Sequence, residues 1–229
     1  MKKINLKKLS IVVSAFNEGP NIKNVLVILQ KLPYEVIVVD DGSTDATYEI
    51  ASKLKVKSRK LKVLRHKINL GKGAAMKTGV KYAFSEGVDA VIFMDADGQH
   101  KASDLQKFVK ALEGGYEIVF GSRNMTYGVP LVRFLGNKLG SIFVNLLFGI
   151  YVSDIGCGFR GITKDAYKKI KWDSSGYAVE TEMVVRTAKE KLKYCEVPVE
   201  TLYFDKYKGM TIIDAFSIFL DVIRLKITL

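Results

Sequence analysis

Two carboxylates and an amide stand close together near the middle of the chain. Asp95 follows directly after the apolar run Ala90–Met94, one residue separates it from Asp97, and Gln99 comes two residues after Asp97. Such oxygens are the ligands that Mg²⁺ or Mn²⁺ prefers, and the bound cation could in turn hold a diphosphate. An ordinary turn rich in Asp and Gly is the alternative, because both residues are common in turns.

A second acidic segment, Asp40–Asp45, follows another apolar run, Glu35–Val39. Asp41 could accept hydrogen bonds from a nucleobase or a ribose. The alternative is a strand-to-helix turn in which Thr44 or Asp45 caps the helix. A glycine turn, Asn69–Gly73, opens a later helix and carries Lys72, which makes it a plausible anion site. It does not match the order of Gly and Lys in a P-loop.

Apolar runs and helical patterns alternate along the first half of the chain. The expected strands are Leu9–Ser14, Glu35–Val39, Leu61–Arg65, Ala90–Met94 and Glu117–Phe120, and the clearest helices are Asn21–Lys31, Lys72–Ser85 and Ser103–Leu112. This alternation predicts an α/β protein with a mostly parallel central sheet flanked by helices. Because ligands bind outside the carboxyl ends of parallel strands, the polar segments should meet at one sheet edge.

The second half has a different rhythm. It predicts a long helix, Leu131–Ile150, with a polar residue every fourth position, and then a glycine-rich loop, Ser153–Gly161. Helices around Thr163–Ile170 and Glu180–Lys191 and a strand near Tyr194–Val199 follow. We expect one domain over residues 1–229. It comprises a nucleotide-binding half (1–122), an acceptor-binding half (123–208) and a C-terminal amphipathic helix (209–229).

Composition narrows the possible partners. The chain has 229 residues, with 36 Lys and Arg against 24 Asp and Glu, a net charge of +12. This surplus favours an anionic partner such as a phosphate ester, a nucleic acid or a membrane surface. The basic run Lys53–Lys62 contains no aromatic residue, so we expect no nucleic-acid partner. Cys157 and Cys195, the two cysteines, do not form the spacing of a disulfide scaffold or a structural zinc site.

The two ends of the chain bear on location. Lysines interrupt the N-terminus at residues 2, 3, 7 and 8, which is not a secretory signal, and no long apolar run predicts a membrane span. From Gly209 onward, polar residues recur at spacings of three or four in an otherwise apolar helix. Such a helix can lie in a membrane interface. The expected location is therefore the cytoplasm, peripheral at the cytoplasmic face of a membrane; packing of this helix on protein is the alternative.

Seven segments occur together in an order and spacing that resemble those of a known family: Ser14–Glu18, Val39–Asp45, Asn69–Gly73, Met94–Gln99, Gly121–Arg123, Asp154 and Gly158–Arg160. The chain resembles the inverting family 2 glycosyltransferases of the GT-A fold, most closely the polyprenyl-phosphate (dolichyl-phosphate) hexose synthases. The resemblance covers roughly residues 9–212. It implies hexose transfer from a nucleotide-diphospho-sugar, GDP-mannose or a UDP-sugar, to a polyprenyl phosphate.

The resemblance also implies roles for individual residues. The nucleotide-binding residues would be Ser14, Phe16, Asn17, Glu18, Asp41, Lys72, Asp95 and Ala96. The Mg²⁺ or Mn²⁺ ligands would be Asp95, Asp97 and Gln99, and the acceptor phosphate would meet Arg123, Arg133, Arg160 and Lys206. The catalytic residues would be Asp95, Asp97, Arg123 and Arg160. Two departures concern Ser14, where many relatives have Pro, and residues 206–212, which lack the final lysine of the family's basic loop.

The implied chemistry needs no general base. A phosphate monoester, whose second pKa is about 6, is largely ionised at neutral pH and can attack the anomeric carbon directly. A transferase of the same fold with a hydroxyl acceptor is the alternative. It would require a base, for which Glu180 or Glu182 is the candidate. The base and sugar of the donor, the lipid length and the oligomeric state are left open by the sequence.

Overall fold

The computed structural model describes residues 6, 8–56, 58, 60–123, 131–200 and 212–228, with the side chains of 131–134 and 212–218 outside that description. The strands are β1 (Leu9–Ala15), β2 (Glu35–Asp40), β3 (Leu61–Arg65), β4 (Ala90–Asp95), β5 (Ile118–Arg123), β6 (Arg160–Thr163) and β7 (Tyr194–Val199). The α-helices are α1 (Gly19–Leu29), α2 (Thr47–Val56), α3 (Lys72–Ser85), α4 (Leu105–Glu113), α5 (Leu131–Phe148), α6 (Lys164–Ile170), α7 (Ala178–Lys189) and α8 (Ile212–Thr228).

One seven-stranded sheet organises the chain, in the order β3-β2-β1-β4-β6-β5-β7. All pairings are parallel except those of β6, which runs antiparallel to β4 and β5. In the register, Ser14 at the end of β1 pairs with Val39 of β2 on one side and Asp95 of β4 on the other. The carboxyl ends of these three strands therefore meet at one edge, as the sequence predicts.

The central strands β1, β2 and β4 are buried on both faces because helices cover both sides of the sheet. Successive residues of a strand point to opposite faces, so Val12 belongs to the core cluster that includes α3, α6 and α7, while Val13 belongs to the cluster that includes α1, α2 and α4. This double burial explains why the strand sequences are continuously apolar instead of alternating.

The sequence missed β6. Arg160–Thr163 lies within and beyond the predicted glycine-rich loop, and its four residues include an arginine and a glycine, so no apolar run marks it. Both β6 and β7 come from the second half of the chain and complete the same sheet. The sheet is therefore not confined to residues 1–122.

Helices α5 and α8 pack against each other. The rings of Phe143 and Phe219 stack with centroids 4.5 Å apart, and the Lys226 ammonium donates to the Leu147 carbonyl oxygen at 2.6 Å. That carbonyl belongs to the last turn of α5, where a cation is favourable. Among the described residues, no helix is both long enough and apolar enough to cross a bilayer.

Candidate active site

The acidic turn after β2 is bound to the glycine turn before α3. The buried Asp41 carboxylate accepts hydrogen bonds from the backbone N–H groups of Leu70 (3.0 Å) and Gly71 (2.7 Å). His66 Nδ1 donates to the same carboxylate at 2.6 Å, and its Nε2 contacts the Thr78 hydroxyl at 2.9 Å. Asp41 thus positions the glycine turn. The role of His66 could not be predicted from the sequence, because a single histidine after a strand has no distinguishing spacing.

The turn after β1 is joined to the same acidic segment. Asn17 adopts a left-handed conformation (φ 53°), and its side-chain oxygen accepts from the Thr44 N–H at 2.9 Å. Its own N–H donates to the Ser43 hydroxyl at 2.9 Å, and the Glu18 N–H donates to Thr47 Oγ1 at 2.8 Å. Asn17 and Glu18 therefore connect the two turns.

The other three predicted nucleotide-site residues of these strand ends differ in exposure. Phe16 leaves 43% of its surface exposed, Ser14 is half-buried, and Ala96 is buried in the core. An exposed aromatic ring at this edge can stack on a planar base. Of these three residues, Phe16 is the one whose side chain a nucleobase can reach directly.

An ion triad lies behind the DxD segment. The Lys72 ammonium is 2.8 and 3.0 Å from the two Asp95 oxygens and 2.8 Å from Glu180 Oε1. Burial by itself disfavours the charged amine, but the two carboxylates outweigh it and hold the pKa of Lys72 well above its usual range. Burial likewise opposes the charge of Asp95, but Lys72 and then His100 hold the pKa of this carboxyl well below its usual value. Lys72 is therefore a fixed cation.

Asp97 and Gln99 complete the DxD segment in front of this triad. The Gln99 N–H donates to Asp97 Oδ1 at 2.9 Å, which fixes the turn between them. Burial, and next the charge of Asp95, raise the pKa of Asp97 above its usual value. A cation beside two neighbouring carboxylates would relieve that repulsion.

The donor set fits a hard divalent cation. It consists of carboxylate and amide oxygens, which suit Mg²⁺ or Mn²⁺. Within the described ranges, no three His, Cys, Asp or Glu side chains are clustered closely enough to hold a metal by themselves. The residues therefore suit a cation that shares its coordination with a substrate phosphate, as Mg²⁺ sites with few protein ligands do.

At two glycines near this region, any side chain would collide with neighbouring atoms. Gly71 has φ 95°, and a Cβ there would lie 2.6 Å from the Ser175 carbonyl oxygen. A Cβ on Gly158 would lie 2.4 Å from Asp95 Oδ2 and 2.5 Å from Lys72 Nζ. The loop before β6 is thus in direct contact with the ion triad.

Arg123 lies at the carboxyl end of β5 in an ion pair with the buried Asp154. Its Nε donates to Asp154 Oδ2 at 2.6 Å and its Nη2 to Oδ1 at 2.8 Å. The Arg123 N–H also donates to Oδ2, at 3.1 Å. This bidentate ion pair fixes the plane of the guanidinium at the edge of the sheet.

The structure corrects the expectation for Arg160. Its side chain is completely buried, and its guanidinium donates to the backbone carbonyl oxygens of Ile155, Cys157 (2.8 Å) and Glu180. Burial lowers its pKa, and the nearby Glu180 charge opposes that shift. Because its side chain is enclosed and three of its N–H groups donate to carbonyls inside the protein, Arg160 holds the loop before β6 to α7 instead of facing an acceptor phosphate.

The two glutamates of α7 are separated by the structure. Glu182 accepts from the N–H groups of Asp173 (2.9 Å) and Ser174 (2.8 Å) and pairs with Arg186 at 2.6 Å. It is an anchor for the loop before α7. Of the two glutamates, only Glu180 belongs to the ion triad, through its Oε1. Its second oxygen, Oε2, is buried with no hydrogen-bond partner among the described residues.

Two predicted acceptor residues cannot be placed. Lys206 lies outside the described residues. Arg133 lies in the first turn of α5, but its side chain is outside the description as well. Their predicted contact with the acceptor phosphate stays a prediction.

The seven-stranded sheet and its acidic carboxyl edge agree with the GT-A class of glycosyltransferases that the sequence predicts. The chain is similar to a solved glucosyl-3-phosphoglycerate synthase from Mycobacterium tuberculosis, in complex with Mn²⁺, UDP and phosphoglyceric acid. The TM-score is 0.72 at 20% identity, over 95% of this chain and 76% of that one. The predicted GT-A fold is confirmed.

The chain belongs to glycosyl transferase family 2, whose model matches residues 10–171. It is 34% identical to a UDP-N-acetylglucosamine–dolichyl-phosphate N-acetylglucosaminyltransferase of Methanococcus voltae, over 96% of both proteins. It is 30% identical to an undecaprenyl-phosphate mannosyltransferase of Micrococcus luteus, over 72% of this chain and 70% of that protein. The predicted family is therefore confirmed, and the chain is a glycosyltransferase.

Proposed function

We propose that this glycosyltransferase moves a sugar from a nucleotide-diphospho-sugar to a polyprenyl phosphate, with inversion at the anomeric carbon. The observation that carries the proposal is the meeting of Phe16, Asp41 and the Asp95–Gln99 segment at one sheet edge. The family membership adds to it, because two relatives, 34% and 30% identical to this chain, are named for polyprenyl-phosphate acceptors.

The donor would lie across the carboxyl ends of β1, β2 and β4. Phe16 would offer a ring to the base, while Asp41 holds the glycine turn that borders this edge of the sheet. Asp97 and Gln99, with Asp95 beside them, would hold Mg²⁺ or Mn²⁺. When bound, the metal supplies positive charge to the departing diphosphate.

The acceptor phosphate would attack without a protein base, because it is already ionised near neutral pH. The residues of this chain then have to align the two substrates and balance their charge. Asp154 orients Arg123 at the carboxyl end of β5. Arg123 is therefore our candidate for binding the acceptor phosphate. Arg133 and Lys206 are further candidates for the same phosphate.

A hydroxyl acceptor is the second candidate, and it would need a base. Glu182 is excluded from that role by its three partners. Glu180 is buried and paired with Lys72. Its carboxylate is therefore poorly placed to take a proton from an acceptor that enters the site from solvent. The geometry therefore favours the phosphate acceptor.

A lipid acceptor would require the site to lie at a membrane surface, and we propose the cytoplasmic side. Helices α5 and α8 carry large apolar side chains that remain exposed: Leu135, Leu139, Ile142 and Leu146 on α5, and Phe219, Leu220, Ile223 and Ile227 on α8. The polar residues Asn137 and Ser141 of α5 face inward, where Asn137 donates to the Ser153 carbonyl at 3.0 Å and Ser141 is buried. An outward apolar face suits an interface helix.

The test is a transfer assay with the purified chain. UDP- and GDP-sugars are offered in turn with Mn²⁺, each with a polyprenyl phosphate, the corresponding polyprenol and a soluble phosphate monoester. We expect product only with the lipid phosphate, as a single anomer of inverted configuration. Transfer to the free polyprenol at an equal rate would contradict the proposal and favour the hydroxyl-acceptor reaction.

A further inference from the structure

We propose that Lys72 is a resident counter-cation of the donor site, which keeps Asp95 paired until a nucleotide diphosphate brings in the metal. The inference rests on the proposed function, because it concerns the same donor site. It assigns Lys72 a positioning role instead of direct contact with the nucleotide. It also makes Glu180 the residue that holds Lys72 in place.

The contacts of the ammonium carry the inference. A lysine has three N–H donors, and the Lys72 ammonium has three carboxylate oxygens within 3.0 Å, two from Asp95 and one from Glu180. Two carboxylates of the protein therefore surround the ammonium, and the contact with Asp95 Oδ2 is a hydrogen bond. A phosphate of the donor would have to compete with both carboxylates for this cation.

The surroundings hold Lys72 where it is. Lys72 is the first residue of α3, whose preceding turn is fixed by Asp41. The backbone of Gly158 covers the ammonium so closely that a Cβ would lie 2.5 Å from Nζ. Glu180, a buried residue of α7, reaches the ammonium from a third element. The cation is therefore enclosed by three separate parts of the chain.

The charge of this arrangement determines how metal can bind. Asp95, Asp97 and Glu180 bring three negative charges, and Lys72 neutralises one of them. A divalent cation arriving alone is repelled by Lys72 and finds both Asp95 oxygens already paired. A nucleotide diphosphate adds negative charge and further oxygens, so metal and nucleotide should bind together more tightly than either binds alone.

The experiment measures Mn²⁺ binding by the electron paramagnetic resonance signal of free Mn²⁺, first without nucleotide and then with UDP or GDP. In the wild-type protein, Mn²⁺ alone should bind weakly and one of the nucleotides should strengthen it. In Lys72→Met, which keeps the length of the side chain but loses its charge, Mn²⁺ alone should bind about tenfold more tightly. The strengthening by nucleotide should shrink correspondingly.

A second variant should move in the opposite direction. Glu180→Gln removes a negative charge and leaves Lys72 to Asp95, so Mn²⁺ alone should bind more weakly than in the wild type. Lys81→Met is the matched control, because Lys81 is an exposed lysine of the same helix, and it should change nothing. General damage to the site would weaken Mn²⁺ binding in both triad variants, which distinguishes it from the proposed effect.

Each result decides the question. Unchanged or weaker Mn²⁺ binding in a folded Lys72→Met protein overturns the inference. If that variant does not fold, unchanged or tighter binding in Glu180→Gln overturns it. If the wild-type protein binds Mn²⁺ with nucleotide and both variants bind it equally well, the proposed function stands and only this inference is removed. A wild-type protein that binds no Mn²⁺ with either nucleotide removes the metal from the proposed function as well.

Discussion

Gly158 and Asp95 are in direct contact, although they belong to different parts of the chain. The missing side chain of Gly158 leaves the space in which the Asp95 carboxylate meets Lys72, and a Cβ would lie 2.4 Å from Asp95 Oδ2. The loop before β6 therefore sets the position of a donor-site carboxylate. This contact gives a physical reason for a glycine in the Gly158-Phe159-Arg160 segment.

Gly158→Ala should accordingly damage the donor site more than the fold. The added methyl group must displace either the Asp95 carboxylate or the Lys72 ammonium, since both lie under 3.0 Å from it. We expect kcat/KM for the nucleotide-sugar to fall by about tenfold or more, in line with the loss of roughly 1.4 kcal/mol of transition-state stabilisation. Steady-state kinetics with the donor varied would measure this.

Gly176→Ala is the matched control, because a Cβ at Gly176 would meet no atom within 4 Å among the described residues. Its donor kinetics should resemble those of the wild type. Wild-type donor kinetics in Gly158→Ala would contradict the close contact between this glycine and the ion triad.

Arg160 should contribute to the stability of the fold. Arg160→Met removes the guanidinium and leaves three buried carbonyl groups without their donors. Leaving buried polar groups unpaired is costly, and we expect the free energy of unfolding to fall by about 3–5 kcal/mol. Urea denaturation followed by circular dichroism measures the change.

The matched comparison is Lys168→Met, which removes a cation from an exposed ion pair with Asp165. Exposed pairs contribute little, so its unfolding curve should be close to that of the wild type. A stable Arg160→Met protein with a selectively raised KM for the lipid phosphate would restore the phosphate-binding role that the buried position argues against.

Arg123 should affect the acceptor more than the donor. Arg123→Ala removes a guanidinium that Asp154 orients at the end of β5, and we expect the KM for polyprenyl phosphate to rise about tenfold or more. Asp154→Asn keeps the shape of the partner but weakens the pairing, so it should raise the same constant by a smaller factor. Varying each substrate separately makes the distinction; a collapse of donor affinity with an unchanged acceptor KM would contradict the assignment.

The sequence predicted the elements that have a strong local pattern. Apolar runs such as Ala90–Met94 are long enough to identify buried strands, and the glycine turn before Lys72 identified the start of α3. The meeting of the acidic segments at one edge followed from the rule for parallel strands, and the register of Ser14 with Asp95 agrees with it.

The long-range contacts could not be predicted. Arginine next to a glycine-rich loop suggests a phosphate ligand, but whether Arg160 points outward depends on carbonyls from Ile155 and Glu180 that surround it only in the folded chain. The same holds for Glu180 and Glu182, which are equivalent in sequence. Their side chains lie just over half a turn apart on α7, one towards Lys72 and the other towards Arg186.

Asp97 should be essential for turnover through the metal. Asp97→Asn keeps the acceptor for the Gln99 N–H but removes the negative charge that would hold Mg²⁺ or Mn²⁺. We expect turnover to fall by orders of magnitude while the thermal midpoint stays within a few degrees of that of the wild type. The wild-type enzyme in excess EDTA should show the same loss and recover on addition of Mn²⁺. Full activity under either condition would eliminate the metal from the reaction.

The exposed face of α5 should bind the protein to membranes. Leu139 and Leu146 leave 64% and 77% of their surfaces exposed on a helix whose polar residues Asn137 and Ser141 turn inward. Burying a leucine side chain contributes about 1.5–3 kcal/mol, so replacing one by glutamate should weaken membrane binding by roughly tenfold or more. Flotation with vesicles containing anionic lipid would measure the bound fraction of wild type, Leu139→Glu and Leu146→Glu at low salt.

Val56→Glu provides the matched control for this experiment. Val56 is 88% exposed and also lies on a helix, but on α2, which covers the other face of the sheet from α5. The same change of an exposed apolar residue to a carboxylate should leave flotation unaltered there, because α2 takes no part in the apolar face. Thermal midpoints should remain similar in all three variants, since each residue is exposed. If the wild-type protein stays unbound, or if Val56→Glu releases it as effectively as Leu146→Glu, then α5 and α8 do not form the membrane-binding surface.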